Sequence, residues 1–478
     1  MKNFENILAA FNPWWKDPAD FQKLLPEFRR PLFNTLVNEL FSIPQILGVT
    51  GPRRVGKSTL LRQVIAYLLE QNVNPEKIIY YSFDDPALYA RGISASDLID
   101  HLFTKAQKEK SSGETFLFLD EIQRLERWEL YLKKYYDLKY PVRIIISGSA
   151  SSPIFKKSRE SLLGRVKDYH LLPFSFREFV LYNLREDQEK LQIISSIHES
   201  GADLLKKFNS DGDYSDAAAS VRIPEGDIRN LLDKLLKEYF LDGGFPEVWA
   251  LPSWFAKQEY LYDNQVKKVI YEDLVLAAEF RKPELLKRFY ISVLEAPGKE
   301  YSVSSVSRET DINQQQIEKY LPLLEMTDLI YRLPKYRSGP LRVRKGMMKF
   351  YLVDLALRNA TLRLDDTLLS ENSMMGLYAE NLVYLALKKW RGTIQLDYFR
   401  EKDYEVDFVI HTSPNVLLPV EVKYRNNFDK ASVKGLNYFC NQNPKAIRPV
   451  IVTKNWSDHG DKYGCHAIPL PLFLLIFD

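Results

Sequence analysis

Two cysteines among 478 residues, Cys440 and Cys465, are too few for a disulfide framework. Six histidines show no zinc spacing, and no Cys/His cluster accompanies them. His459, between Asp458 and Asp461, reads as a loop residue. Net charge is only +3, so any contact with nucleic acid must come from local patches. No apolar run reaches the length of a bilayer span; the longest near the C-terminus covers residues 469–477. The first residues, Met1 to Phe11, lack the apolar core and cleavage site of a secretion signal. No internal repeat or low-complexity tail is present. A cytoplasmic protein with no membrane partner is expected. At 45% hydrophobic and 27% charged residues, the chain suits two to four globular domains.

Against that background one stretch stands out. Gly51, Pro52, Arg53, Arg54, Val55, Gly56, Lys57, Ser58 and Thr59 spell G-x-x-x-x-G-K-S-T, a phosphate-binding loop. An apolar run over 43–50 precedes it, as a buried strand would. Apolar residues at helical spacing follow over 59–70. Strand, glycine loop and helix N-terminus aim backbone N–H groups and the positive helix end at phosphate. Lys57 is expected to reach the β- and γ-phosphates of ATP, and the Ser58 hydroxyl to ligate Mg²⁺.

Residues 41–180 alternate strand and helix, with strands expected over 77–85, 114–121 and 142–149. Apolar residues at successive positions fit strands of a parallel sheet covered on both faces. The second of these ends in Asp120 and Glu121, where open α/β sheets place ligands. This is a Walker B arrangement, with Asp120 holding Mg²⁺ and Glu121 orienting the attacking water. Ser147, near the end of the next strand, either touches the γ-phosphate or belongs to a plain Ser-Gly turn. Trp14 and Trp15 either pack near the nucleotide base or staple residues 1–40, a helical segment, onto the next domain.

Further along come Leu162-Leu-Gly-Arg-Val166, Leu171-Leu-Pro-Phe-Ser-Phe-Arg-Glu-Phe179 and Gly243-Gly-Phe-Pro-Glu247. With the loop, the Asp-Glu strand and Ile146-Ser-Gly-Ser-Ala-Ser151, this order resembles AAA-type ATPases that carry a DUF4143 C-terminal region. The resemblance covers about residues 30–425. It implies an AAA+-like P-loop sheet, then a helical lid, a winged helix and a restriction-endonuclease-like α/β domain. It also makes Arg165 a candidate arginine finger, acting in cis or on a neighbouring copy in a homo-oligomer. The plainer role for Arg165 is pairing with an acid at a domain joint, and Arg159 competes for the finger role.

The expected domains are residues 1–40, the ATPase core 41–180, a helical lid 181–290, a winged helix 291–365 and a nuclease-like domain 366–478. Gly243 and Gly244 read as a hinge after the lid. In the winged helix, Gln314, Gln315 and Gln316 open the second helix, and a wing follows with Lys335, Arg337, Arg342, Arg344 and Lys345. Those residue types suit base edges and phosphates, so DNA is the expected partner. A structural or protein-contact role is the alternative.

In the last domain Asp407 lies fourteen residues before Glu421-x-Lys423, and Glu380 sits on a preceding amphipathic helix. Glu421 and Lys423 share a strand face. The grouping resembles the PD-(D/E)xK nuclease superfamily. It implies Mg²⁺ held by Glu380, Asp407 and Glu421, with Lys423 positioning the nucleophile or stabilising the transition state. Glu405 has the parity of Asp407 and reads as an outer residue; Asp403 reads as part of a turn. Cleavage of DNA and a non-cleaving, binding or structural remnant both fit these four residues.

Overall fold

The computed structural model describes residues 4–86, 94–108, 114–149, 162–210, 213–274, 283–337, 347–391 and 395–477. Two compact units result. The first takes in residues 1–172 with two short later segments, 271–281 and 326–328. The second takes in the remainder.

The first unit is built on a five-stranded sheet. Its strands are β1 (Ile46–Gly51), β2 (Ile78–Ser82), β3 (Thr115–Asp120), β4 (Val142–Ser149) and β5 (Val166–His170). Their spatial order is β2-β3-β4-β1-β5, and every pair is parallel. Parallel strands need crossovers, and the helices that supply them cover the faces; β1 and β3 are accordingly buried at every position. The order puts β4 between β1 and β3. The carboxyl ends of β1, β4 and β3, which carry the glycine loop, Ser147 and Asp120, therefore lie side by side. β5 went unforeseen because it is a half-exposed edge strand with Lys167 and Asp168 at its middle, which a search for solid apolar runs passes over.

The tryptophan pair acts as a staple. Trp14 and Trp15 each donate an indole N–H to the Ile78 carbonyl at 3.0 Å, pinning the N-terminal helical segment to the start of β2. Asn12 completes the attachment, accepting from Tyr80 N at 2.7 Å and donating to Tyr80 O at 2.9 Å.

The second unit contains two sheets. β6 (Glu300–Tyr301), β7 (Ile330–Pro334) and β8 (Met348–Leu352) form an antiparallel sheet ordered β6-β8-β7. Helices Val303–Thr310 and Gln314–Met326 precede β7. Of the expected wing, Arg342, Arg344 and Lys345 lie outside the described residues. The larger sheet holds β9 (Leu396–Glu401), β10 (Tyr404–Ser413), β11 (Val416–Lys423), β12 (Val450–Thr453), β13 (Gly460–Lys462) and β14 (Cys465–Pro469). It is ordered β13-β14-β12-β11-β10-β9 and is mixed, with β11, β12 and β14 parallel. The C-terminal apolar run is the helix Leu470–Ile476, buried throughout. No helix among the described residues is long and apolar enough to cross a membrane.

The Gly243–Gly244 segment is pinned rather than hinged. Gly244 N donates to Asp354 Oδ2 at 2.6 Å, and Gly244 O accepts from Phe174 N at 2.7 Å. Asp354 also caps the helix Leu355–Leu362, accepting from Ala356 N at 2.8 Å. Burial pushes its carboxyl up to about 7, against the pull of those N–H donors. A carboxyl raised on folding contributes stability that is full below its unfolded value, near 4, and is lost as pH rises through about 7. Asp354→Asn is therefore expected to flatten the fall in urea midpoint between pH 5 and pH 8. One proton accounts for at most about 1.4 kcal/mol per pH unit. An unchanged slope in the variant would show that Asp354 does not titrate in this window.

Candidate functional site

Gly51 and Gly56 shape the glycine loop in different ways. Gly51 has φ +150°, and a Cβ there would lie 2.0 Å from Leu171 O, so only glycine passes. Gly56 has φ +96° and open space where a Cβ would point, leaving the loop face clear for a ligand. Arg54 also takes a left-handed conformation. From behind, Arg30 clasps the loop: its guanidinium donates to Val55 O at 3.1 Å and Leu172 O at 2.9 Å. Arg30 was not foreseen, because an arginine in a segment far from the motif carries no local signal of that contact.

Lys57 opens the helix Lys57–Glu70, and Ser58 is its second residue. The Lys57 ammonium is buried and donates to Gly51 O at 3.1 Å and Pro52 O at 2.7 Å. Burial lowers its pKa, and the nearby Glu121 and Asp120 carboxylates act against that. Asp120, also buried, is held from three sides. Tyr80 donates to Oδ2 at 2.8 Å, Glu121 N donates to Oδ1 at 3.0 Å, and the Ser147 hydroxyl donates to Oδ1. Ser147 thus lies within β4 and meets the Asp120 carboxylate rather than closing a simple turn. Glu121 sits at φ +50°, a left-handed conformation that lets it turn off the strand end. Gln123 donates its side-chain amide to Glu121 Oε2. Burial raises the Glu121 pKa, opposed by Lys57. Lys57, Asp120, Glu121 and Ser147 therefore meet at one sheet edge. Tyr80 and Gln123 join them without having been expected.

The donor set suits a nucleotide-bound Mg²⁺. That ion takes few protein oxygens and keeps waters and phosphates as its other ligands. A Ser58 hydroxyl and an Asp120 carboxylate oriented by three donors are hard oxygens of that kind. When bound, the ion would be held by Ser58 and Asp120 and would offset negative charge on the phosphates. Arg165 lies away from this group, making a two-point ion pair with Asp137 at 2.7 and 3.1 Å. Arg159 is outside the described residues.

The second constellation assembles in the second unit. Asp407 and Glu421 meet across β10 and β11: Asp407 N donates to Glu421 Oε2 at 3.2 Å, and Val422 N donates to Asp407 Oδ2 at 2.9 Å. The pairing of β10 with β9 slips by one residue between Val406 and Val409, an irregularity that spans Asp407 and Phe408. Lys423 pairs with Glu421. Glu380, on the helix Asn372–Arg391, accepts from Tyr351 OH at 2.6 Å. Burial and the neighbouring Asp407 push Glu380 up to about 7, and burial with Asp407 pushes Glu421 up to about 8.

An unforeseen cation sits among these acids. Lys349 on β8 places its ammonium 3.2 Å from Glu380 Oε1, 2.9 Å from Glu405 Oε1 and 3.6 Å from Asp407 Oδ1. Burial disfavours its charge, but the three carboxylates outweigh that and hold it protonated. Its only sequence signal is a lysine inside the apolar run Met347-Met-Lys-Phe-Tyr-Leu-Val353. Glu405 reaches the centre through Lys349; Asp403 is exposed in the turn before β10. Among the described residues, no group of three or more His, Cys, Asp or Glu side chains is arranged to hold a metal ion.

Comparison with known proteins finds three matched domains along the chain. Residues 44–180 match the family model of an AAA domain. Residues 233–368 and 375–473 match two domains of unknown function, DUF8612 and DUF4143. An uncharacterized protein of Methanocaldococcus jannaschii is 26% identical over 80% of this chain and 76% of its own length. One of Haemophilus influenzae is 24% identical over 77% of this chain and 80% of its own. Among solved structures, AMPPCP-bound DnaA from Aquifex aeolicus is 14% identical, with a TM-score of 0.25, over 64% of this chain and 90% of that one. C. elegans PCH-2 is also 14% identical, with a TM-score of 0.27, over 53% and 64%. Scores that low add nothing to the sheet order and the matched domain. The chain thus carries an AAA domain over residues 44–180 and a DUF4143 domain over residues 375–473.

Proposed function

We propose that the first unit binds and hydrolyses MgATP, and that its nucleotide state governs how the second unit engages DNA. The observation that carries this reading is the convergence of the loop lysine, the Walker B pair and Ser147 at the adjoining ends of β1, β3 and β4. Lys57 takes the phosphates, Ser58 and Asp120 take Mg²⁺, and Glu121 orients the water. DNA contact falls to the second unit, where Gln314 and Gln315 lie exposed at the start of a helix that we read as the recognition helix of a winged helix. Metal-dependent cleavage is the second reading. It is favoured by the meeting of Asp407, Glu421 and Lys423, and weighed against by Lys349 among the carboxylates.

The test uses full-length protein with plasmid, linear and branched DNA, with and without ATP and Mg²⁺ or Mn²⁺. Wild type is expected to release phosphate and to change its DNA affinity with nucleotide. Lys57→Ala is expected to lose both effects, with turnover down by about 10²-fold or more, since it removes a charge that clamps the transferring phosphoryl group. ATP turnover that survives in Lys57→Ala removes the loop assignment. DNA affinity indifferent to nucleotide removes the switch. Cutting that is lost in Asp407→Ala establishes the second reading.

A further inference from the structure

A lysine ammonium stands among the carboxylates of the nuclease-like centre. Lys349 is buried, with its ammonium in contact range of Glu380, Glu405 and Asp407 at once. A metal bridging Glu380 and Asp407 would have to occupy much the same space. The ammonium and a dication at that spacing would repel strongly in so buried a site. Space beside Glu380 is narrow: a Cβ on Gly298, which has φ +78°, would lie 3.0 Å from Glu380 Oε1. The remaining acid is engaged too, since Lys423 pairs with Glu421.

Lys349 does not come from the nuclease-like sheet. It lies on β8, the central strand of the three-stranded sheet, two residues from Tyr351, whose hydroxyl also meets Glu380. The two sheets are joined where Tyr336 N donates to Tyr398 O at 2.7 Å and Lys335 bridges to Tyr398. A strand of one sheet thus supplies a counter-charge to acids on the other sheet and on the helix Asn372–Arg391.

We propose that Lys349 is a resident counter-ion standing where a PD-(D/E)xK centre would hold its metal, so that this centre binds no divalent cation and cuts no DNA. The inference rests on the likeness of Glu380, Asp407, Glu421 and Lys423 to that centre, not on ATP hydrolysis, which can fail without affecting it.

Mn²⁺ binding to nucleotide-free, full-length protein, followed by electron paramagnetic resonance of the free ion, tests it. Wild type and Asp407→Asn are expected to give the same isotherm. Lys349→Met, which keeps the bulk and removes the charge, is expected to gain one site, tighter than anything in wild type by roughly tenfold or more. Lys349→Met/Asp407→Asn is expected to lose that site again. An Asp407-dependent Mn²⁺ site in wild type overturns the proposal, as does a folded Lys349→Met that gains none. If Lys349→Met fails to fold by circular dichroism, the wild-type and Asp407→Asn isotherms decide alone: identity upholds the proposal and a difference overturns it.

Discussion

Glu121→Gln is expected to keep its ATP and fail to hydrolyse it. The substitution preserves shape and leaves the nucleotide's grip intact, because Lys57, Ser58 and the backbone of the loop are unchanged. What it removes is the carboxylate that we assign to the attacking water. Asp120 cannot substitute, since Tyr80, Ser147 and Glu121 N hold its oxygens. Burial raises the Glu121 pKa, which makes its carboxylate a better base once deprotonated. A positioned general base contributes about 10²–10⁴-fold, and phosphate release should fall by that much. Equilibrium binding of a fluorescent ATP analogue should change by less than about threefold, since no phosphate contact is touched. A loss of binding equal to the loss of turnover would place Glu121 in the nucleotide's grip instead.

Gly244→Ala should disable the second unit without any change at either centre. A Cβ there would fall 2.1 Å from Phe174 O and 2.8 Å from Phe174 N. Both are backbone atoms, and Phe174 N is already bonded to Gly244 O. Relief would require parting that bond and drawing Gly244 N away from Asp354, which leaves a buried carboxyl short of a donor. Steric strain together with an unmet buried polar group costs about 3 kcal/mol or more. Gly376→Ala is the matched control. It lies within the helix Asn372–Arg391 with open space at its Cβ. Alanine there should stabilise by about 0.5–1 kcal/mol. Urea midpoints of the two variants should therefore move in opposite directions. A Gly244→Ala midpoint equal to wild type would mean that the crossing yields easily.

The sequence made some of this architecture legible and concealed the rest, for identifiable reasons. β1, β3 and β4 could be read because strands buried on both faces are apolar at every step, and the loop could be read because phosphate binding constrains neighbouring residues. Glu421 and Lys423 were legible because two-residue spacing on a strand fixes a shared face. Contacts between distant segments left no such trace. Arg30 reaches the loop from 25 residues before Val55, and Tyr80 reaches Asp120 across 40 residues of chain. Lys349 is the sharpest case: nothing local to β8 says that three acids from elsewhere will surround it. Gly243 and Gly244 misled in the opposite direction. Glycine pairs permit flexion, but they also permit close backbone crossing, and only the position of Phe174 and Asp354 distinguishes the two.

The position of Lys349 on β8 has a consequence for dividing the chain. The matched DUF4143 segment begins at residue 375, after β8, so a fragment cut at that boundary keeps Glu380, Glu405 and Asp407 but leaves their counter-charge behind. Three acids would then lie together without the ammonium that touches all of them, with Arg400 left beside Glu405. A fragment that keeps this counter-charge must therefore begin upstream of β8, before the boundary drawn from sequence similarity.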